Sequence, residues 1–221
     1  FPMSKKSEVS KHLQSLMLIL RQDNVSIETL HTDNDSVFKD KKFEATCRHA
    51  SIHPNFSAPG DQWQNGPAES FVGRCKHLGA CAMAASGVGD EYTVFAYLNA
   101  AHVGNFLPNT LHPECPIDRW TGKVNSHSHL RTFGSECYVY DAGHQGLQPR
   151  SLKAVYLGDA SHVGQGSYSR GTYRVHVLST GKQRTSRHVL FDETVVPDSA
   201  RAAERALQLH DEWVAALKHD P

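Results

Sequence analysis

The stretch Gln64-Asn65-Gly66-Pro67-Ala68-Glu69 closes a loop and opens a helix. From Asn55 to Gly66 the chain is rich in Pro, Gly, Asn and Gln, which is loop chemistry. Pro67 suits the first helical turn, where its missing N–H costs nothing. The Ala- and Leu-containing run from Ala68 to Ala85 continues as helix, so Glu69 falls in its first turn. Upstream, Val25 to His31 begins by alternating apolar and polar residues, β-branched ones among them, and predicts a strand. Asp33 follows that strand closely, in Leu30-His31-Thr32-Asp33-Asn34-Asp35, and 35 residues lie between Asp33 and Glu69.

A carboxylate at a strand end and another on a nearby helix can converge on one point. Oxygen ligands of that kind suit Mg²⁺, which binds them at ~2.0–2.1 Å. Two such ions ~3.5–4 Å apart can clamp both the attacking and the leaving oxygen of a phosphodiester exchange. Each residue also has an ordinary structural use. Asp after a strand makes turns and helix caps, and Glu in a first turn favours the helix dipole. Spacing alone does not decide between the two.

Working outward, Val9, Leu13, Leu16, Met17 and Leu20 recur at spacings of three and four and predict a helix over 4–20. Further helices are expected at 40–47 and 91–106, with a short turn at 116–120. Ser51-Ile52-His53-Pro54 has the look of a strand end. Composition shifts at Val124-Asn125-Ser126-His127-Ser128-His129, and a domain boundary is placed there. Beyond it come short β-like runs at 137–140, 154–157, 172–177 and 188–191, separated by Gly- and Ser-rich turns. Such spacing suggests a small antiparallel barrel. Ala206, Leu209, Trp213 and Leu217 mark a last amphipathic helix over 199–217.

The 221 residues carry 23 Lys/Arg and 23 Asp/Glu, so a coat of positive charge is not how this chain would hold a polyanion. Residues 130–197 are slightly basic, with eight Lys/Arg against five Asp/Glu. Five cysteines without a Cys-x-x-Cys pair argue against a disulfide framework and suit a reducing compartment. No apolar run approaches the ~18 residues of a membrane span, and nothing reads as a secretory signal. Nucleus or cytoplasm is expected, with no membrane partner.

Several ordered words resemble the integrase of copia-type LTR retrotransposon Pol polyproteins. Lys5-Lys6-Ser7-Glu8-Val9 resembles the start of the helix before the second catalytic strand. Leu30-His31-Thr32-Asp33-Asn34 is similar to the second-aspartate motif, and Gln64-Asn65-Gly66-Pro67-Ala68-Glu69 to the Gln-Asn-Gly-x-Ala-Glu motif. Ser51-Ile52-His53 with Ser57-Ala58-Pro59, then Asn105-Phe106-Leu107-Pro108 and Pro116-Ile117-Asp118-Arg119-Trp120-Thr121-Gly122, resemble words between and after these. Leu130-Arg131-Thr132-Phe133-Gly134, Lys153-Ala154-Val155-Tyr156-Leu157-Gly158 and Ser186 to Glu193 resemble the barrel that follows the family's core. Together these words span roughly residues 1–195.

The resemblance implies a partial α/β ribonuclease-H-like integrase core over 1–125. It implies an all-β Src-homology-3-like barrel over 130–197, with a C-terminal helix or linker over 198–221. It implies Mg²⁺- or Mn²⁺-dependent strand transfer, in which a 3′-hydroxyl of element DNA attacks target DNA. Asp33 and Glu69 would be catalytic residues and metal ligands. Gln64 and Asn65 would order the loop and touch DNA. Arg74 and Lys76 would meet phosphate, or else form a solvated helix face. DNA is the expected partner, and the intact family implies a homo-oligomer.

The chain also departs from the pattern. The family's first catalytic aspartate lies on a strand that would precede Phe1, and the preceding zinc module is absent, so this chain is expected to be inactive alone. Asp35-Ser36-Val37-Phe38 replaces the usual Gly-Gly-Glu-Phe, Ser70 replaces a basic residue, and Trp63 stands where a polar one is usual. A second reading therefore stays open: a non-enzymatic, decayed or co-opted remnant that binds nucleic acid or protein. Cys47, His49 and His53 have loose zinc spacing but lack a fourth ligand, and surface histidines are the favoured reading. Tyr138, Tyr140, Tyr156 and Tyr173 read as barrel core ahead of base-stacking residues.

Overall fold

The computed structural model describes residues 3, 5–22, 24–57, 65–108, 112–143, 146–147, 149–160 and 171–193. Gln64, Trp63, the word Ala58-Pro59 and the expected helix at 199–217 lie outside these residues. The chain divides into two compact units, one running to Val72 and the other beginning at Gly73. No helix among the described residues is long and apolar enough to cross a membrane.

The first unit contains α1 (Val9–Gln22), β1 (Thr29–Thr32), α2 (Lys41–His49) and β2 (His53–Phe56). Both long turns follow from helix ends. After α1 the Val25 amide donates to Leu20 O (2.9 Å), and after α2 the Ile52 amide donates to Cys47 O (2.9 Å). Asn24 and Ser51, at φ 58° and 56°, make the left-handed step between. This is the six-to-one closure of a Schellman end, with an apolar residue just beyond it. It turns Ile52 back onto Leu13, Phe43 and Cys47, all nearly inaccessible, with Val9, Met17, Ile27, Leu30 and Phe38 around them. Asp40 caps α2 by accepting from the Lys42 amide (3.2 Å).

β1 and β2 pair in parallel, Thr29 opposite His53 and Thr32 opposite Phe56. Parallel neighbours need a crossover, which the segment containing α2 supplies. Two expectations are corrected here. The strand expected over 25–31 begins only at Thr29, because Ile27 is drawn into the core ahead of the pairing. β2 begins at His53 and takes in Asn55 and Phe56, which sequence composition assigns to the loop; their backbone pairing with β1 overrides loop propensity.

α3 (Gly66–Ser86) spans the division between the units. The second unit continues with α4 (Thr93–Gly104), α5 (Pro116–Thr121) and strands β3 (Glu136–Tyr140), β4 (Ser151–Asp159), β5 (Tyr173–Val177), β6 (Lys182–Ser186) and β7 (Val189–Asp192). The strands form a five-stranded antiparallel sheet in the order β6-β5-β4-β3-β7. Cys137, Val139, Ala154, Tyr156, Val175 and Val177 alternate along three strands and are almost fully buried on one face. Burial pushes the Cys137 thiol up to about 12.

This sheet is curled. In the strand order β5 and β7 are separated by β4 and β3, which in a flat sheet puts them roughly 14 Å apart at ~4.8 Å per strand. Yet the rings of Tyr173 on β5 and Phe191 on β7 meet edge-to-face with centroids 4.9 Å apart. Tyr156 contacts both, at 6.0 and 5.4 Å. Of the four tyrosines read as barrel core, Tyr156 and Tyr173 are core. Tyr138 and Tyr140 are exposed, because their strand positions alternate outward.

The opposite face of β4 packs on helices. Leu157, Ala96 and Phe133 are buried together, flanked by Ala82, Met83, Tyr92, Phe95 and Val155. Gly79 lets α3 and α4 approach, since a Cβ there would collide with the ring of Tyr97. The residues at the composition shift are also anchored. Asn125 is buried, and its amide group donates to Asp118 Oδ1 (3.0 Å), Thr121 Oγ1 (2.7 Å) and Lys123 O (2.9 Å). The side-chain bond to Asp118, and after it the Asn125 backbone amide donating to the same oxygen (2.7 Å), hold Asp118 below the usual carboxylate range.

Candidate functional site

Asp33 follows directly on Thr32, at the carboxyl end of the parallel pair. Carboxyl ends of parallel strands are where α/β sheets place ligand-binding groups, because the loops leaving them share one rim. Ser57 leaves β2 on the same rim, its Oγ 3.2 Å from His31 Nε2 and its amide donating to Thr32 O (2.9 Å). Asp33 is exposed, and its Oδ1 accepts from the Asp35 amide (3.3 Å).

A second acid on this rim was missed as a site residue. Asp35 accepts from Lys6 Nζ (2.5 Å), from the Val37 amide (3.1 Å) and from Ser36 Oγ (3.2 Å). The lysine hydrogen bond, then the Val37 amide, hold the Asp35 carboxyl below its usual range. Lys6 is raised in turn, by that bond first, then by the charge of Asp35, with a smaller contribution from Asp33. The Lys6 ammonium thus stands within the field of both acids. The signal available in sequence was the Asp-x-Asp spacing itself, but nothing local links it to a lysine 29 residues away.

Glu69 lies in the first turn of α3, exposed, and belongs to the same compact unit as Asp33. Asn65 stands immediately before α3 and is half-buried, while Gln64 lies outside the described residues. Arg74 and Lys76 are exposed on α3. At 100° per residue, Lys76 returns to the stripe of Glu69, two turns on, whereas Arg74 lies about 140° around the helix. Gly73 sits between Glu69 and Lys76 on that stripe, and a Cβ there would meet nothing within 4 Å. Gly73→Ala is therefore expected to stabilise the chain by about 1 kcal/mol, read as a higher urea midpoint with unchanged slope.

The sequence trio Cys47, His49 and His53 is split by burial. Cys47 is 1% exposed in the first core and its thiol is raised by desolvation, while both histidines are exposed.

No protein-family model matches the chain. Curated relatives do. It is 26% identical over 203 residues to the retrovirus-related Pol polyprotein from transposon RE1 of Arabidopsis thaliana, and 25% identical over 203 residues to that from transposon RE2 of the same plant. It is 25% identical over 191 residues to the Pol polyprotein from transposon TNT 1-94 of Nicotiana tabacum. These matches cover 85–90% of this chain but only 13–14% of the relatives. Among solved structures, a chain of the simian T-cell lymphotropic virus intasome in complex with PP2A regulatory subunit B56 gamma matches at TM-score 0.45 and 15% identity. That match covers 88% of this chain and 66% of the other. Along nearly its whole length, then, the chain resembles a segment of the Pol polyproteins of plant retrotransposons.

Proposed function

We propose that this chain is an integrase-type segment of a copia-type retrotransposon Pol polyprotein, acting on DNA with Mg²⁺ or Mn²⁺. In this reading residues 1–125 are part of a ribonuclease-H-like core and residues 130–197 a Src-homology-3-like barrel. The curl of the five-stranded sheet supports the second assignment, and the parallel β1–β2 pair supports the first. The observation that carries the proposal is Asp33 at the carboxyl end of β1, in one compact unit with Glu69 at the start of α3.

Asp33 and Glu69 would hold the divalent ion, whose chemistry is to activate a 3′-hydroxyl and to stabilise the departing oxygen. This chain's own residues have separate tasks. Asp33 would present one oxygen while its turn bond to the Asp35 amide fixes the carboxylate's direction. Lys76, on the Glu69 stripe, would meet a phosphate, with Arg74, Gln64 and Asn65 contacting DNA elsewhere along the strand. Two carboxylates bind Mg²⁺ weakly, since ligand number and charge set its affinity. The 221 residues alone are accordingly expected to lack activity, with DNA and further copies of the chain as partners.

One observation favours a second reading, a non-enzymatic remnant. Lys6 already pairs with Asp35 on this rim, so a cation arriving beside Asp33 must compete with its ammonium. Mn²⁺ titration of the ¹⁵N-labelled chain separates the two. The amide resonances of Asp33 and Glu69 are expected to broaden together at low Mn²⁺, because a paramagnetic ion reports even brief occupancy. Broadening at one residue without the other, or at neither, overturns the shared site.

A further inference from the structure

A second cluster of ligating groups lies in the second unit, apart from Asp33 and Glu69. His102 is in the last turn of α4, His129 in the turn ahead of β3, and Asp159 at the end of β4. One ligand atom of each lies within 4.8 Å of the others, the one such trio of His, Cys, Asp or Glu among the described residues. We propose that these three side chains form a transition-metal site, with Zn²⁺ as the ion it fits best.

The chemistry of the donors selects the ion. Two imidazoles and one carboxylate are a borderline-soft set that suits zinc, whereas Mg²⁺ and Ca²⁺ want oxygen alone. Zinc ligands sit at ~2.0–2.2 Å, so ligand atoms about 3.4 Å apart surround the ion, and the trio, within 4.8 Å, must close by up to about 1.4 Å. The two half-buried members, His129 and Asp159, have the room to do so, while His102, 9% exposed, provides the fixed corner. Three protein ligands leave a fourth position for water.

The surroundings are built for such a group. Ring contacts orient both imidazoles: the Phe106 ring lies 4.8 Å from His129, edge-on, and 5.2 Å from His102, tilted, and the two imidazoles are 5.7 Å apart. The bulge between Tyr156 and Gly158, with Gly158 at φ +118°, brings the β4 backbone against the side chain of Asn99, one turn before His102. Asn99 is 7% exposed, and its Oδ1 is buried with no hydrogen-bond partner. An orphaned acceptor beside Gly158, the residue before Asp159, is what a metal-bound water would satisfy, and outer-shell acceptors of this kind strengthen such sites. Burial lowers the Arg174 pKa, and the charge of Asp159 partly offsets that, so Arg174 draws on the same carboxylate. The ion must displace that attraction. Cys115, 3.8 Å from His127 Nε2, whose ring also meets Phe106, is the rival ligand.

Equilibrium titration of the EDTA-stripped, tag-free 221-residue chain with zinc sulfate tests the assignment. One Zn²⁺ per chain and a raised melting temperature are expected. His129→Gln and Asp159→Asn should each weaken zinc binding by at least about tenfold with an unchanged circular dichroism spectrum. Co²⁺ substitution should give a tetrahedral visible spectrum without a thiolate charge-transfer band, a readout independent of how the variants fold. Absence of zinc binding, parental affinity in both variants, or a thiolate band lost on Cys115→Ser would each overturn it. None of these outcomes bears on Asp33 and Glu69.

Discussion

Asp33→Asn and Glu69→Gln are each expected to lower strand transfer by at least about 10³-fold, roughly 4 kcal/mol of transition-state stabilisation. The assay needs a chain extended upstream with an aspartate-bearing strand, and the activity measured is joining of a labelled element end to target DNA. Both replacements are close to isosteric. The asparagine oxygen keeps the turn bond that Asp33 accepts from the Asp35 amide, so what is removed is the charge that the proposed ion would meet rather than local shape. Unchanged thermal unfolding in the variants would locate the loss in chemistry. Wild-type joining by either variant would remove that residue from the mechanism. Asp35→Asn is the informative companion, because Asp35 spends its charge on Lys6 and the Val37 amide, and a much smaller loss is expected from it.

The second large effect is on stability. Tyr156→Ala should destabilise the second unit by about 3–5 kcal/mol, the usual range for deleting a buried aromatic side chain. Tyr156 is 2% exposed and holds edge contacts with both Tyr173 and Phe191. Its removal takes away the ring that packs beneath Tyr173 and Phe191, where two strands that are not neighbours in the sheet meet. A matching control is Tyr140→Ala on β3, where the ring is 49% exposed and a change within about 0.5 kcal/mol is expected. Chemical denaturation monitored by tyrosine fluorescence and by far-ultraviolet circular dichroism reads both. Equal losses at the two positions would mean that the curled face is not the core of this unit.

What the sequence made legible were the elements with a strong local pattern. α1, α2, α3, α4 and α5 carry apolar spacing, an aspartate cap or a proline at the first turn, and each lies within a few residues of its expected position. β6, Lys-Gln-Arg-Thr-Ser, was not legible, because it is an edge strand whose side chains are almost all exposed and carry no apolar alternation. Such residues protect an edge against further pairing while hiding it from pattern reading. The segment around Asn125 read as a domain boundary on composition, yet the Asn125 side chain is satisfied inside the protein rather than by water. Asp33 and Glu69 could be singled out from sequence as candidates because they lie in short contiguous words. The His102–His129–Asp159 trio was invisible for the opposite reason: its members come from three elements, and their proximity is created only by tertiary packing.

The pairing of β3 with β7, Glu136 opposite Asp192, has a bearing on how this polypeptide acquires its shape during synthesis. Contacts between distant parts of the chain form late, because the loop they close must be ordered first. β7 is the last described strand to leave the ribosome, so the β3–β6 meander emerges with one flank of β3 unpaired and the Cys137–Val139 side still wet. A nascent chain in that state is sticky. Its maturation depends on the arrival of four residues, Val189-Leu190-Phe191-Asp192, whose phenylalanine seals the curled face and ends the exposure.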